Sequence, residues 1–335
     1  MNLTETEFLN VKDAKLIQIR DIKYSEAYSL ANSRLIEIIR LSEFPILDLL
    51  PEIEKLTLSE VQSFGQAFLN QAYFIAGAYG NITPEETASI AEEFYQQLGM
   101  QPLPVDQFRG FEGVRIEQGS SYFHSVNLEG KNHGWVSQYQ FGEKSPEIHA
   151  AISIGTSLLK PQFFDDLRTQ KALGYVVGLM AYEANTVLGI TFYIQSHQPL
   201  AQVSSLAEEW IQSAASRIEK LSQQEFDNLK SAELEPLLPP NQSFEMQASE
   251  FKYAIVHKQG DIHWRQKKID ALQKITKEEV VRIFQQALNP TTHRKLTVFA
   301  IGNQGSGRET IPNQGEVISN IEEFKAKIGR YYLPF

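Results

Sequence analysis

The histidines are the first residues to test for chemistry, because a chain without cysteine has few other side chains that bind a catalytic metal strongly. The seven histidines are His124, His133, His149, His197, His257, His263 and His293. No two are three to five residues apart, so the sequence contains no H-x-x-x-H, H-E-x-x-H or H-x-x-E-H motif. We interpret each histidine as a surface or packing residue and predict no metal ligand in this chain.

Other catalytic motifs are missing from the sequence as well. There is no G-x-S-x-G elbow, no Walker loop and no G-x-G-x-x-G turn. The lack of cysteine excludes disulfides, Cys-ligated zinc, iron–sulfur clusters and thiol nucleophiles. By motif alone, the chain holds no self-sufficient active site.

Length and charge narrow the class of protein. The 335 residues suggest two domains, at about 150 residues per domain. The 31 Lys and Arg against 41 Asp and Glu leave a net charge of −10, which disfavours binding to nucleic acid or to an acidic membrane surface. No apolar run reaches the ~20 residues of a membrane span. The compartment stays unknown, periplasmic or cytoplasmic, because the sequence shows no signal peptide and any signal would lie upstream.

An internal repeat sets the domain organisation. Residues 56–70 (LTLSEVQSFGQAFLN) match residues 275–289 (ITKEEVVRIFQQALN) at six of fifteen positions. The identical pairs are Thr57/Thr276, Glu60/Glu279, Val61/Val280, Gln66/Gln285, Leu69/Leu288 and Asn70/Asn289. The first two pairs predict a capping box, in which a Thr and a Glu satisfy free backbone donors at a helix start. Each copy then continues into a short apolar segment that ends in Gly-Asn, at 80–81 and 302–303.

The two copies differ in length. In the register of the repeat, Met1 corresponds to Lys220, whereas the second copy starts near Gly113. The first copy therefore lacks the front part that the second copy has between Gly113 and Lys220. We expect this chain to be the C-terminal part of a longer protein.

Hydrophobic periodicity and turn residues predict the elements. Predicted strands lie at 72–79, within 113–142, and at 174–182, 186–196 and 295–302. Predicted helices lie at 24–40, 58–70, 85–98, 146–160, 163–173, 199–221, from Ser222 to 234–240, and near 243–258, 264–274, 277–289 and 320–328.

This order predicts an α+β fold: a two-layer sandwich with an antiparallel-rich sheet and helices packed on one face. One complete unit, residues 106–335, would follow the rear part of a second unit, residues 1–105. Residues 99–112 hold two prolines and two glycines and are interpreted as the linker.

One segment, residues 164–177 (FDDLRTQKALGYVV), carries a family resemblance. It resembles the L-R-T-x-x-x-L-G-Y-x-V segment in the C-terminal half of insulinase/pitrilysin-type zinc peptidases, the inverzincins. The matching positions are Leu167, Arg168, Thr169, Leu173, Gly174, Tyr175 and Val177. The strand with Ile194-Gln195-Ser196 and residues 80–86 (GNITPEE) also occur in the family's order.

The resemblance implies four homologous domains in two halves, of which this chain would hold the rear of the third and all of the fourth. In the family, zinc is bound in the N-terminal half, by motifs that are absent here. Arg168 would then bind substrate backbone carbonyls. Tyr175 would donate its hydroxyl to the scissile carbonyl oxygen as that oxygen becomes an oxyanion, a contact that stabilises the transition state.

The resemblance therefore predicts a chain that closes with a metal-bearing N-terminal half around a chamber for peptide substrates, and that is inactive alone. One alternative is a non-catalytic binding subunit that pairs with a separate metal-bearing chain, and another is a purely structural scaffold. A third interpretation concerns the residues themselves: Arg168 would make a surface ion pair with Asp165, and Tyr175 would pack in a sheet.

Overall fold

The computed structural model of the chain describes residues 3–68, 70–104, 107, 112–184, 187–240, 242–258, 260–303 and 310–331. The predicted boundary between residues 105 and 106, six of the fourteen residues of the predicted linker 99–112, and residues 185–186 lie outside this described part. The chain forms two compact units. Unit 1 comprises Met1–Arg20, Ile46–Gly110 and Pro239–Gln266, and unit 2 comprises Asp21–Pro45, Phe111–Leu238 and Lys267–Phe335.

The helices of the first half are α1 (Glu5–Asp21), α2 (Ala27–Ile39), α3 (Leu50–Lys55), α4 (Leu58–Phe68) and α5 (Pro84–Leu98). Those of the second half are α6 (Pro146–Phe164), α7 (Leu200–Gln212), α8 (Ala214–Glu219), α9 (Gln223–Leu234), α10 (Phe244–His257), α11 (Trp264–Lys274), α12 (Lys277–Leu288) and α13 (Ile321–Lys327). A π-helical turn, Asp165–Gln170, continues α6. Short 3₁₀ turns lie at Ile22–Tyr24 and Glu235–Leu237.

The strands are β1 (Gln71–Ala72), β2 (Gln101–Pro102), β3 (Gly113–Arg115), β4 (Ser121–Leu128), β5 (His133–Glu143), β6 (Val176–Ala184), β7 (Val187–Ser196), β8 (Lys295–Gly302), β9 (Glu316–Val317) and β10 (Gly329–Tyr331). Unit 2 is built on a sheet of order β6-β7-β5-β8-β4-β9. The first three pairs are antiparallel, and β4 runs parallel to both β8 and β9. The predicted α+β class with an antiparallel-rich sheet is confirmed.

The sheet is buried on both faces. Successive side chains of a strand point to opposite faces, and neighbouring residues of β5 lie in two different cores. On β5, Trp135 and Tyr139 lie in a core with α6–α9 and α12. The intervening Val136 lies in a second core, which α2 closes from the opposite face with Leu30 and Ile38. The predicted single helical face therefore describes α6–α9 and α12 but not α2, which forms an additional layer.

Thr57 and Glu60 form the predicted reciprocal hydrogen bonds, as do Thr276 and Glu279. The repeat also extends further upstream than the match at 56–70. Residues 4–14 (TETEFLNVKDA) match residues 222–232 (SQQEFDNLKSA) at five of eleven positions, in a register that is shifted by one residue from the match at 56–70. Both segments start α-helices with a capping box. The sequence analysis did not predict α1, and this match is the signal in the sequence that indicates the helix.

One lysine in each copy makes the same long-range contact. Lys12 Nζ donates to the carbonyls of Glu54 and Leu56, both at 2.9 Å. Lys230 Nζ donates to the carbonyls of Gln273 and Ile275, at 2.7 and 3.1 Å. Each lysine satisfies carbonyls at the end of α3 or α11 that have no partner within the helix. The shared contact adds a structural observation to the sequence evidence for the duplication.

The second helix of each copy is exchanged. By position in the repeat, α2 corresponds to α10, yet α2 lies in unit 2 and α10 in unit 1. Each compact unit thus contains one helix from the other copy. The predicted domains, 1–105 and 106–335, are defined by the sequence duplication, whereas the two units are defined by contacts within the structure. The predicted domain boundaries therefore stay a prediction.

The predicted strand 72–79 is wrong over most of its length. Only Gln71–Ala72 is a strand, and it pairs in parallel with Gln101–Pro102. The corresponding β8 pairs on both sides, with β5 and β4. The described part of unit 1 holds no equivalents of β4 and β5, so the backbone after Ala72 has no ladder to join.

Two helix predictions also need correction. The predicted helix 199–221 is interrupted at Ser213, whose Oγ donates to the Trp210 carbonyl at 2.6 Å and so competes with the helical bond. The predicted helices 146–160 and 163–173 are one continuous element, because α6 passes through Pro161 and continues as the π turn. Burial of Leu159, Phe163 and Leu167 in one core favours this continuity over the cost of an internal proline.

No helix in the described residues is long and apolar enough to span a membrane.

We expect the cap of α9 to contribute measurably to the stability of unit 2. Ser222 Oγ accepts the Glu225 N–H at 3.2 Å, and the hydrogen bonds from Ser222 lower the pKa of Glu225 below its usual value. Ser222→Ala should lower the free energy of unfolding by about 1 kcal/mol in urea denaturation at neutral pH. Ser222→Thr keeps the cap and serves as the control; an equal loss in both variants would contradict this account.

Candidate functional site

The π turn that carries Arg168 is anchored to the helices behind it. Asp166 Oδ2 accepts hydrogen bonds from Trp210 Nε1 and from the Arg217 guanidinium, both at 2.8 Å. Leu167 is fully buried, and its carbonyl accepts the Leu173 N–H at 2.9 Å. The turn is therefore held by one charged contact and one core side chain. A π turn widens the helix by one residue and is frequent at functional sites.

Arg168 lies on the exposed side of this turn. Its guanidinium carbon lies 4.9 Å from the centre of the Phe164 ring, a cation–π contact that orients the side chain. The Asp165 carboxylate accepts from Gln170 Nε2 at 2.9 Å, and Asp166 is engaged as described above. Within the described residues, no ion pair with Arg168 is present. The alternative ion pair with Asp165 is therefore not formed.

The bend between the π turn and β6 is tightly fixed. Ala172 has a positive φ of 48°, which is uncommon for a residue with a side chain. Its carbonyl accepts from Gln198 Nε2 at 2.9 Å, and the Leu173 carbonyl accepts from Ser196 Oγ at 2.5 Å. Gly174 lies so close to β7 that a Cβ would come within 2.2 Å of the Gln195 carbonyl oxygen. Only glycine fits this position without a shift of the backbone.

Tyr175 follows this bend and immediately precedes β6. Its side chain is 67% exposed, so it does not pack in the sheet as the alternative interpretation requires. No hydrogen bond to its hydroxyl occurs in the residues that the structure describes. An exposed phenol and an exposed guanidinium, each on a rigidly supported backbone, are suited to binding a ligand's carbonyl oxygens.

Two of the histidines have structural partners in unit 2. His133 Nδ1 accepts the Gly302 N–H at 3.2 Å, and His293 Nε2 contacts Ser121 Oγ at 2.6 Å. In the described part of the chain, no three His, Asp or Glu side chains are placed to hold a metal ion together. These residues do not fit a catalytic zinc, and no catalytic step through a metal follows from this chain.

A second polar cluster lies inside unit 2, on β5, β8 and α7. Tyr139 donates to Glu208 at 2.8 Å, and Lys295 Nζ lies 2.6 Å from the same carboxylate. Burial lowers the pKa of Lys295, whereas burial and the Glu208 charge raise the pKa of Tyr139. The three groups satisfy one another, so we assign the cluster a structural role.

The sequence analysis proposed Arg168 and Tyr175 as site residues but did not predict which residues contact and orient them. Phe164, Asp166 and Trp210 show no motif of their own, and the Asp166–Trp210 contact joins residues 44 positions apart. Gln195 belongs to the strand segment quoted for the resemblance, yet nothing in the sequence indicates what its side chain contacts.

Comparisons with known proteins show which sequences and which fold this chain resembles. The family described as PQQ synthase PqqF-like, C-terminal lobe domain 4, matches residues 154–252. Insulin-degrading enzyme of Drosophila melanogaster is 22% identical over 332 residues, covering 97% of this chain and 34% of that protein. A Schizosaccharomyces pombe protein named as a zinc protease is 20% identical over 315 residues, covering 92% of this chain and 32% of that protein.

Among solved structures, pitrilysin superposes with a TM-score of 0.82 at 18% identity, covering 98% of this chain and 35% of that chain. The fold is thus that of a peptidase-type α+β sandwich. The resemblance seen in the sequence is confirmed: this chain is related to the insulinase/pitrilysin-type peptidases, in the C-terminal half of their sequences. It spans about a third of the length of the relatives it matches.

We expect Gly174→Ala to disturb the bend and to destabilise unit 2, because the new Cβ would meet backbone rather than a flexible side chain. The expected loss is about 1–3 kcal/mol in the free energy of unfolding, measured by urea denaturation. Gly113→Ala is the matched control, since its Cβ would meet nothing nearer than 3.5 Å. Equal stability of the two variants would show that the bend can relax.

Proposed function

We propose that this chain is the substrate-binding and transition-state-stabilising part of a zinc metalloendopeptidase whose metal is bound by an N-terminal half, fused or separate. The observation that carries the proposal is the pair of exposed, rigidly supported side chains, Arg168 and Tyr175, at the positions that match the family segment. The peptidase names of the relatives support the reaction class. A role in closing a chamber around peptide substrates rests on the same resemblance.

Arg168 binds the peptide backbone in this proposal. A guanidinium is permanently charged and planar, and its N–H groups suit carbonyl oxygens. The stacking on Phe164 restricts the side chain before substrate arrives, which lowers the entropy lost on binding. The neighbouring carboxylates are bonded to Gln170, Trp210 and Arg217, so they do not compete with the substrate.

Tyr175 acts on the reacting carbonyl. As a nucleophile adds to the carbonyl carbon, negative charge develops on the oxygen, and the phenolic O–H donates to it. The contact strengthens as the charge grows, so it lowers the barrier more than it stabilises bound substrate. The chain alone is expected to be inactive; hydrolysis of an unfolded peptide by the isolated chain, blocked by a chelator, would overturn this part of the proposal.

In the complete enzyme, Tyr175→Phe should lower kcat by about 100-fold and change KM little, because one transition-state donor is lost. Arg168→Ala should raise KM by about tenfold, because substrate backbone contacts are lost, a change of about 1.4 kcal/mol. Steady-state kinetics on a fluorogenic peptide measures both.

The matched controls are Tyr24→Phe, at another exposed tyrosine, and Arg282→Ala, at an exposed arginine of α12. Both should keep wild-type kinetics. Unchanged turnover in Tyr175→Phe and Arg168→Ala alike, with unchanged peptide binding, would make the site assignment wrong. Peptide binding that weakens in Arg168→Ala, with turnover insensitive to both variants, would indicate the non-catalytic binding subunit instead.

A further inference from the structure

Gln195, at the end of β7, makes two side-chain hydrogen bonds to the start of α2. Its Oε1 accepts the Tyr28 N–H at 3.1 Å, and its Nε2 donates to the Glu26 carboxylate. The residue is 1% exposed. A buried amide with both ends bonded fixes the relative position of the two elements that it joins.

The start of α2 depends on this contact. Glu26 occupies the N-cap but makes no side-chain bond to the helix, so Gln195 supplies the acceptor for the second backbone N–H. The helix also approaches β5 closely: a Cβ on Gly134 would lie 2.3 Å from the Ala27 carbonyl oxygen.

The backbone of Gln195 supports the bend that leads to Tyr175. Its carbonyl oxygen is the atom that excludes any side chain at Gly174. Gln195 is also the register partner of Val176, the residue after Tyr175. The neighbouring Ser196 bonds the Leu173 carbonyl. One strand end therefore contacts α2 through its side chain and the Tyr175 bend through its backbone.

We propose that Gln195 is a positioning residue that couples the start of α2 to the orientation of Tyr175. The inference rests on the proposed function, because it assigns a catalytic consequence to the position of Tyr175. Loss of the α2 contacts lets the end of β7 shift, and the Gly174–Tyr175 bend shifts with it. A small displacement of a transition-state donor costs turnover more than it costs substrate binding.

The chain offers a matched control in Gln140. It is also 1% exposed, and its side chain also makes two hydrogen bonds, accepting the Ile116 N–H at 3.1 Å and donating to the Val114 carbonyl at 3.0 Å. It lies on β5 beside Gly189 of β7, at the other end of that strand from Gln195 and so roughly 20 Å away. Gln140→Met and Gln195→Met therefore remove the same chemistry at opposite ends of one sheet.

The experiment compares Gln195→Met, Gln140→Met and Tyr175→Phe in the complete enzyme. Both methionine variants should lose similar stability, but only Gln195→Met should lower kcat, by about tenfold with KM within twofold. Equal kcat in the two methionine variants, with Tyr175→Phe impaired, overturns the coupling and leaves the proposed function intact. Wild-type kinetics in Tyr175→Phe overturns the proposed function itself.

A second pair of variants guards against misfolding of Gln195→Met. Glu26 is exposed, so Glu26→Ala removes one of the two bonds without opening the core. Glu26→Gln keeps an acceptor for Gln195 Nε2. We expect Glu26→Ala to lower kcat by about threefold and Glu26→Gln to restore it, as loss and rescue of one hydrogen bond. Equal kcat in these two variants contradicts the coupling.

A readout that is independent of turnover uses the 335-residue chain alone. Hydrogen–deuterium exchange should accelerate at residues 172–177 in Gln195→Met and stay at the wild-type rate there in Gln140→Met. Unchanged exchange at 172–177 in Gln195→Met would show that the bend does not depend on α2.

Discussion

The structure of unit 2 depends on one constraint, which is that both faces of its sheet must be covered. Nine consecutive residues of β5, His133 to Phe141, are buried. Because successive side chains point to opposite faces of the sheet, burial of all nine requires a packed layer on each face. The helices α6–α9 and α12, which follow β5 in sequence, cover one face. The other face is covered by α2, which comes before every strand of that sheet in the sequence.

The same constraint determines what supports the site. The start of α2 lies on Gly134, the side chain of Gln195 caps α2, and the carbonyl of Gln195 underlies Gly174. These contacts form an unbroken path from the second helical layer to the residue before Tyr175. The side chains that could bind substrate thus project from backbone that is held by close packing, which is how functional groups are kept within a fraction of an ångström of their working positions.

Local signals in the sequence predicted local structure well. Capping boxes at Thr57 and Thr276 form as expected, and strongly periodic helices such as α12 have nearly the predicted bounds. The prediction of a strand at 72–79 was wrong because a strand forms only beside another strand. The β-propensity of a segment cannot show whether such a partner strand exists. The sequence analysis did not predict the layer formed by α2 for a related reason. The contacts of α2 with β7 join residues that are 167 and 169 positions apart in the sequence.

The candidate site also combines features that a short sequence segment indicates with contacts between residues that are far apart in the sequence. Arg168 and Tyr175 could be proposed as site residues from the sequence because a compact run of residue types carries the resemblance, and their roles stay a prediction. The π turn could not, because an i→i+5 bond has no residue signature of its own. Gln195 is visible in the sequence only as a strand residue, and its two contacts depend on where α2 docks.

The charges around Arg168 explain how the arginine that we propose to bind carbonyls can follow two aspartates in sequence. An ion pair with a neighbouring carboxylate would occupy the guanidinium N–H groups that a carbonyl oxygen needs as donors. Asp166 instead pairs with Arg217, which also stacks on Trp210 at 4.6 Å, and Asp165 bonds Gln170. The π turn and the Trp210–Arg217 pair therefore keep both carboxylates occupied, and the positive charge of Arg168 stays available in a chain whose net charge is −10.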